Sequence, residues 1–169
     1  FGTVGSGVAE VLSKNSQGIA RRSGGEIQVK YILDVRDFPD SPFKDCFVKD
    51  FSIIENDPEV DVVVETIGGA KGALEFTTRA LKAGKSVVSS NKELVATHGY
   101  ELLQLAKANG VSYLFEASVG GGIPILRPLT NCLAANEVEQ ITGILNGTTN
   151  YILTRMIKAG LTFEQALKE

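Results

Sequence analysis

Tryptophan is absent from this sequence, and histidine occurs once, at His98. No base or nucleophile partner stands near that histidine, so neither a Ser/His/Asp nor a Cys/His arrangement can be assembled, which argues against hydrolase chemistry of that kind. An ordinary surface role is expected for it. Cysteine is scarce too: Cys46 and Cys132 lie far apart and have no metal-ligand spacing. They read as two reduced thiols, the pattern of a cytoplasmic protein. Basic runs are missing and the formal net charge is -3, which gives no electrostatic support to nucleic-acid or anionic-membrane binding. No apolar run approaches the ~20 residues of a membrane span. No positively charged start followed by a short apolar stretch suggests a secretory signal.

What is present is a chain of 169 residues, 43% hydrophobic, which can bury one sizeable core and part of another. Eighteen glycines without tryptophan favour turn-rich α/β over all-α. Apolar blocks alternate with helical patterns, as in βα units around a parallel sheet. The periodicity predicts a helix over 7–15, with Val8, Val11 and Leu12 on one face. It then predicts a strand over 27–35 and a loop over 38–51, broken by Pro39 and Pro42. The β-branched run 61–65 suits a strand buried on both faces. A helix follows over 70–83, with Ala73, Leu74, Ala80 and Leu81 inward and Gly84 as a left-handed cap. Next come a strand over 86–89, a helix over 99–107 closed by Asn109-Gly110, and a strand over 111–116. Beyond Gly120-Gly121-Gly122 and Ile123-Pro124 the pattern gives a helix to about Leu133, a strand over 137–143 and a helix over 151–159. Thr162 and Gln165 form a capping box that opens a last helix. The fold class expected is α/β: a Rossmann-type, doubly wound and mostly parallel sheet over 1–117, then the start of an α+β substrate and dimerisation domain over 118–169.

The opening Gly2-Thr3-Val4-Gly5-Ser6-Gly7 is a glycine turn entering a helix. Glycines let the backbone approach a pyrophosphate without a Cβ clash, and the helix N-terminus offers free N–H groups and a positive dipole end. By itself such a turn is common to many helices, and the βα pattern behind it strengthens the nucleotide reading. In a dinucleotide fold this turn follows a buried strand and one more glycine. Residues before Phe1 are therefore expected, because a sheet without its central strand should be poorly stable. The last helix has run less than two turns at Glu169, so a continuation is expected there too. At the end of the second strand Asp34, Arg36 and Asp37 are the candidates to meet the cofactor ribose. An acid favours the 2′-hydroxyl of NAD and Arg36 the 2′-phosphate of NADP, so NAD and NADP both stay open.

Four later segments are more specific: Glu65-Thr66-Ile67-Gly68-Gly69, Ser89-Ser90-Asn91-Lys92-Glu93-Leu94-Val95-Ala96, Phe115-Glu116-Ala117-Ser118-Val119-Gly120-Gly121-Gly122-Ile123-Pro124-Ile125, and Gly143-Ile144-Leu145-Asn146-Gly147-Thr148-Thr149-Asn150-Tyr151-Ile152-Leu153. With the opening glycine turn, and in this order and spacing, they resemble homoserine dehydrogenase across essentially the whole chain. The resemblance implies an oxidoreductase interconverting L-aspartate 4-semialdehyde and L-homoserine with NADP or NAD, on the way to threonine and methionine. It implies Gly2, Thr3, Val4 and Thr66 at the dinucleotide, beside Gly5 of the glycine turn and the ribose candidate Arg36, and Lys92 near nicotinamide and substrate. Glu116 and the carbonyls of Val119, Gly121 and Ile123 match a monovalent cation (sodium) site, and Gly147 and Thr148 match positions that touch substrate. It further implies a small-molecule substrate, a cytoplasmic homodimer, and a proton-donating lysine after the helix opened by Thr162.

Chemistry gives these residues plausible work without the resemblance. Lys92 follows a strand end, where a cation can neutralise phosphate or polarise a carbonyl, although a lysine capping a surface turn looks the same. Glu116 precedes a glycine-rich bend whose unpaired carbonyls suit a hard cation; a carboxylate serving backbone N–H groups is the alternative. Residues 146–150 read as a helix N-cap that could also receive a substrate carboxylate. Two other functions compete: a dinucleotide-binding module without turnover, and a different Rossmann oxidoreductase of a small aldehyde or hydroxy acid. Residues 144–153 disfavour the latter.

Overall fold

A computed structural model describes all 169 residues and divides them into two compact units, Phe1–Ser118 and Val119–Glu169. The first unit opens with helices α1 (Thr3–Lys14) and α2 (Ser16–Ser23), then strand β1 (Ile32–Leu33), a 3-10 turn, strand β2 (Phe47–Val48) and helix α3 (Phe51–Glu55). It continues as a βαβαβ run: β3 (Val62–Glu65), α4 (Ala70–Lys82), β4 (Ser86–Ser89), α5 (Lys92–Ala108) and β5 (Tyr113–Leu114). These strands form two parallel sheets, β1-β2 and β3-β4-β5, the latter in the register Val63 to Val87 and Val87 to Tyr113.

The two crossover helices pack against each other and against the larger sheet. Their apolar faces supply Ala73, Ala80, Leu81, Leu94, Leu102 and Ala106, which close with Val87 and Tyr113 into one core. Both helices end alike. After α4, Gly84 takes φ 75°, its amide donates to Leu81 O (3.2 Å), and Lys85 N donates to Ala80 O (3.0 Å). After α5, Gly110 takes φ 69°, with Gly110 N to Lys107 O (3.2 Å) and Val111 N to Ala106 O (3.0 Å). This paired-bond left-handed stop satisfies the last carbonyls and turns the chain straight into the next strand.

Several expectations are corrected. α1 starts at Thr3, not residue 7, because the glycine turn itself winds into the helix and only Gly2 stays outside it. Residues 16–23 are helical, and the expected loop 38–51 contains β2. The strand expected over 27–35 shortens to Ile32–Leu33, the only two residues there with a ladder partner. Val62 and Val64 are half-exposed instead of buried on both faces. The outer edge of β3 faces a cleft of about 760 Å³, lined on the other side by Ile27, Val29 and Tyr31. α5 begins seven residues before its expected start, capped by Asn91.

In the second unit a short helical turn passes into a π-helix over Pro128–Cys132, then α6 (Gly147–Ala159) and α7 (Phe163–Lys168) follow. The strand expected over 137–143 does not form: no ladder partner lies beside it, and these residues are exposed throughout. The regular elements of this unit are helices. Arg155 joins α6 to the chain end through two bonds to Glu169, of 2.5 and 2.6 Å. The capping box at Thr162 forms as expected, with Thr162 N donating to Gln165 Oε1 (2.8 Å) and Gln165 N to Thr162 Oγ1 (3.3 Å).

Candidate functional site

The first intrahelical bond of α1 runs from Ser6 N to Gly2 O (2.9 Å), which leaves the amides of Thr3, Val4 and Gly5 ahead of it without intrahelical acceptors. Gly2 occupies the N-cap position without a side-chain cap, and the first turn carries no acidic residue. Three N–H groups and the positive end of a twelve-residue helix are thus open to an anion. Gly5 is the point of closest approach: a Cβ there would stand 3.2 Å from Thr66 Oγ1. The start of α1 and the end of β3 are therefore neighbours, and Gly2, Thr3, Val4, Gly5 and Thr66 come together.

Lys92 is the first residue of α5, directly beyond the end of β4, which is the strand paired with β3. It is exposed and has no hydrogen-bond or ion-pair partner. A lysine left without a partner at the carboxyl edge of a parallel sheet is available to a phosphate or a carbonyl oxygen.

At the tip of the smaller sheet Asp34 accepts from Arg36 three times, from N (2.8 Å), Nε (3.1 Å) and Nη2 (2.9 Å). The guanidinium holds this nearly buried carboxyl well below the usual carboxylate range. Arg36 also lies over the Phe38 ring (5.1 Å), and the Phe1 ring packs edge-on against Phe38 (5.4 Å). This aromatic contact brings Arg36 near the Gly2 turn. Asp37 is engaged separately, in an ion pair with Lys49 (2.7 Å). Of the three ribose candidates, only Arg36 is a cation, and its side chain stays 60% exposed.

Glu116 sits in a 3-10 turn, Glu116–Ser118, at the end of the first unit. Within the second unit Gly120 and Gly121 take φ 74° and 58°, and Ile123 N donates to Gly120 O (3.1 Å). The carbonyl oxygens of Val119, Gly121 and Ile123 accept no backbone hydrogen bond. Gly147 and Thr148 form the first turn of α6, which Asn146 caps by accepting from Thr149 N (2.8 Å). His98 is a surface residue beside Glu101, at 3.3 Å.

Three polar residues near the cofactor positions escape the sequence reading: Glu65, Ser89 and Asn91. Glu65 and Ser89 end neighbouring strands, and nothing in a short strand pattern marks them as hydrogen-bond partners. Asn91 did have a signal, since an Asn before Lys-Glu-Leu-Val is a favoured helix N-cap.

An open helix N-terminus beside the carboxyl ends of parallel strands defines a nucleotide-binding α/β unit of Rossmann type. Sequence models of known families agree: the model for the homoserine dehydrogenase NAD binding domain matches residues 1–116, and that for homoserine dehydrogenase matches residues 124–169. The chain belongs to the homoserine dehydrogenase family. It is 42% identical to homoserine dehydrogenase of Bacillus subtilis over 174 residues, covering 100% of this chain and 40% of that protein. The match to the Pseudomonas aeruginosa protein is 43% over 171 residues, covering 100% and 39%. Among solved structures, the Thiobacillus denitrificans homoserine dehydrogenase superposes with a TM-score of 0.89 at 40% identity, covering 99% of this chain and 39% of that one. A hyperthermophilic archaeal homoserine dehydrogenase in complex with NADPH gives 0.63 at 28% identity, covering 91% and 44%. The chain thus spans about 40% of the length of the curated relatives it matches.

Proposed function

We propose that the whole protein is a homoserine dehydrogenase, reducing L-aspartate 4-semialdehyde to L-homoserine, and the reverse, with NADP or NAD. The observation that carries this reading is the uncapped start of α1 packed against Thr66, on the strand next to the one that delivers Lys92. The amides of Thr3, Val4 and Gly5 hold the cofactor pyrophosphate. Thr66 lines the dinucleotide. Lys92 neutralises phosphate charge or polarises the reacting carbonyl. Bound nicotinamide supplies the hydride chemistry, and the protein contributes position and electrostatics. The NADPH bound by the archaeal relative supports a cofactor of this class. Arg36, exposed and linked to the Gly2 turn through Phe38 and Phe1, favours NADP use in this reading.

Gly147 and Thr148 contact the substrate, whose carboxylate is suited to the N-terminus of α6. A monovalent cation, sodium, belongs to the same proposal: Glu116 gives a carboxylate oxygen, and Val119, Gly121 and Ile123 give carbonyl oxygens free of backbone bonds. So do a cytoplasmic homodimer and a place in threonine and methionine synthesis.

The test is oxidation of NADPH and of NADH by the whole protein, with and without L-aspartate 4-semialdehyde and with sodium present. Turnover that requires the semialdehyde is expected. A folded whole protein that binds the cofactor yet shows no semialdehyde-dependent turnover refutes the proposal.

A further inference from the structure

Beneath the loop that carries Thr66 lies a buried polar network. Glu65, the last residue of β3, is 4% exposed. Its Oε1 accepts the Ile67 amide (2.6 Å), and its Oε2 accepts the hydroxyl of Ser89 (2.5 Å), the fully buried last residue of β4. Ser89 Oγ in turn accepts the Asn91 amide (3.1 Å). The Asn91 side chain closes the loop. Its Oδ1 caps α5 by accepting Leu94 N (3.0 Å), while its Nδ2 donates to Ile67 O (2.9 Å) and Gly69 O (2.8 Å).

Ile67 is therefore held at both its amide and its carbonyl. Thr66 lies between the clamped residues Glu65 and Ile67, and Lys92 directly follows Asn91. A carboxylate taken out of water is costly unless its lone pairs are satisfied, so a buried network of this kind is rigid when complete and disruptive when one member is lost. The buried Tyr113 hydroxyl has no partner of its own and lies close enough to feel both Ser89 and Glu65.

We infer that Glu65 is a positioning residue which, through Ser89 and Asn91, locks the 66–69 loop to the start of α5 and so fixes the separation of Thr66 and Lys92 for the cofactor. The inference rests on the functional reading above, because it assigns the network a purpose only if Thr66 and Lys92 meet a dinucleotide. Glu65 itself touches no cofactor atom; it acts through the loop.

The experiment compares the whole protein with its Glu65→Ala, Glu65→Gln and Ser89→Ala variants. Amide hydrogen exchange is measured without ligand, and NADPH affinity by fluorescence titration. In Glu65→Ala the Ile67 and Asn91 amides are expected to exchange about tenfold faster or more, while those of Leu81 and Leu102 keep their protection. NADPH affinity is expected to fall about tenfold, as misplacement of contact groups by a fraction of an ångström does. Glu65→Gln retains an oxygen that can accept the Ile67 amide and should recover most of both losses. If Glu65→Ala does not fold, Ser89→Ala, which removes the bridge to Asn91, should show the same paired changes at Asn91 and in affinity. Unchanged protection at Ile67 and Asn91, or faster exchange with wild-type NADPH affinity, overturns the inference alone. A wild-type protein that binds neither NADPH nor NADH overturns the functional reading and the inference together.

Discussion

Gly5 and Thr66 stand so close that a Cβ added to the glycine would lie 3.2 Å from the threonine hydroxyl oxygen. Most real Cβ contacts are looser, so α1 or Thr66 must shift to admit one. Helix propensity pulls the other way, since alanine inside a helix is better than glycine by about 1 kcal/mol. Gly5→Ala is therefore expected to leave the thermal midpoint within a few degrees of wild type, yet to lower NADPH affinity about tenfold by displacing an anion-binding amide. Calorimetric melting and fluorescence titration separate the two effects.

Lys92 makes no contact that folding depends on, so Lys92→Ala should change unfolding free energy by less than ~0.5 kcal/mol. Its loss should weaken NADPH binding about tenfold at low salt, with a smaller difference as ionic strength rises. Titrations at two salt concentrations check this; a wild-type affinity in the variant would remove Lys92 from the site.

Asp57 joins the N-terminal part of the first unit to the loop before β3. Lys30, the Glu59 amide and the Tyr31 hydroxyl all bond to it, Lys30 most strongly, and hold its carboxyl at about 2 against an ordinary 3.8. A carboxyl depressed in the folded state stabilises above its unfolded value. Its contribution is fully present above pH 3.8 and is lost as pH falls towards about 2. Asp57→Asn should therefore be less stable than wild type at pH 5, and the two urea-unfolding curves should converge near pH 2.

Leu81 is fully enclosed where α4 meets the sheet and α5. Leu81→Ala should cost about 2–5 kcal/mol, since the void is ringed by elements that cannot collapse into it. Gly84→Ala acts on the backbone instead: φ 75° is poorly tolerated by a Cβ, and a cost of about 1 kcal/mol is expected from urea unfolding.

The βαβαβ run was legible because its signals are local and agree with each other. Ala73, Ala80 and Leu81 recur at helical spacing, Gly84 and Gly110 mark the stops, and residues 86–89 form a compact strand. The second half of the chain was less so. Residues 137–143 carry a strand-like pattern, but a strand exists only if a neighbour completes its ladder, and no local sequence encodes that neighbour. The glycine turn was read for its chemistry but misplaced in structure, since residues 3–6, Gly5 among them, looked like turn and are in fact helix. Propensity is a weak prior there, and packing against Thr66 decides. Lys92 was singled out by the resemblance of residues 89–96, and its place directly after β4 agrees with the strand-end position read for it. Glu65 and Ser89 were missed because burial of a polar residue depends on what lies across the sheet.

The cleft beside β3 has a consequence for the sheet itself. On that side Val62 and Val64 offer an apolar edge, about half-exposed, with backbone donors and acceptors that no other strand occupies. Such an edge has room for one more strand, whose arrival would carry Val62 and Val64 into the core.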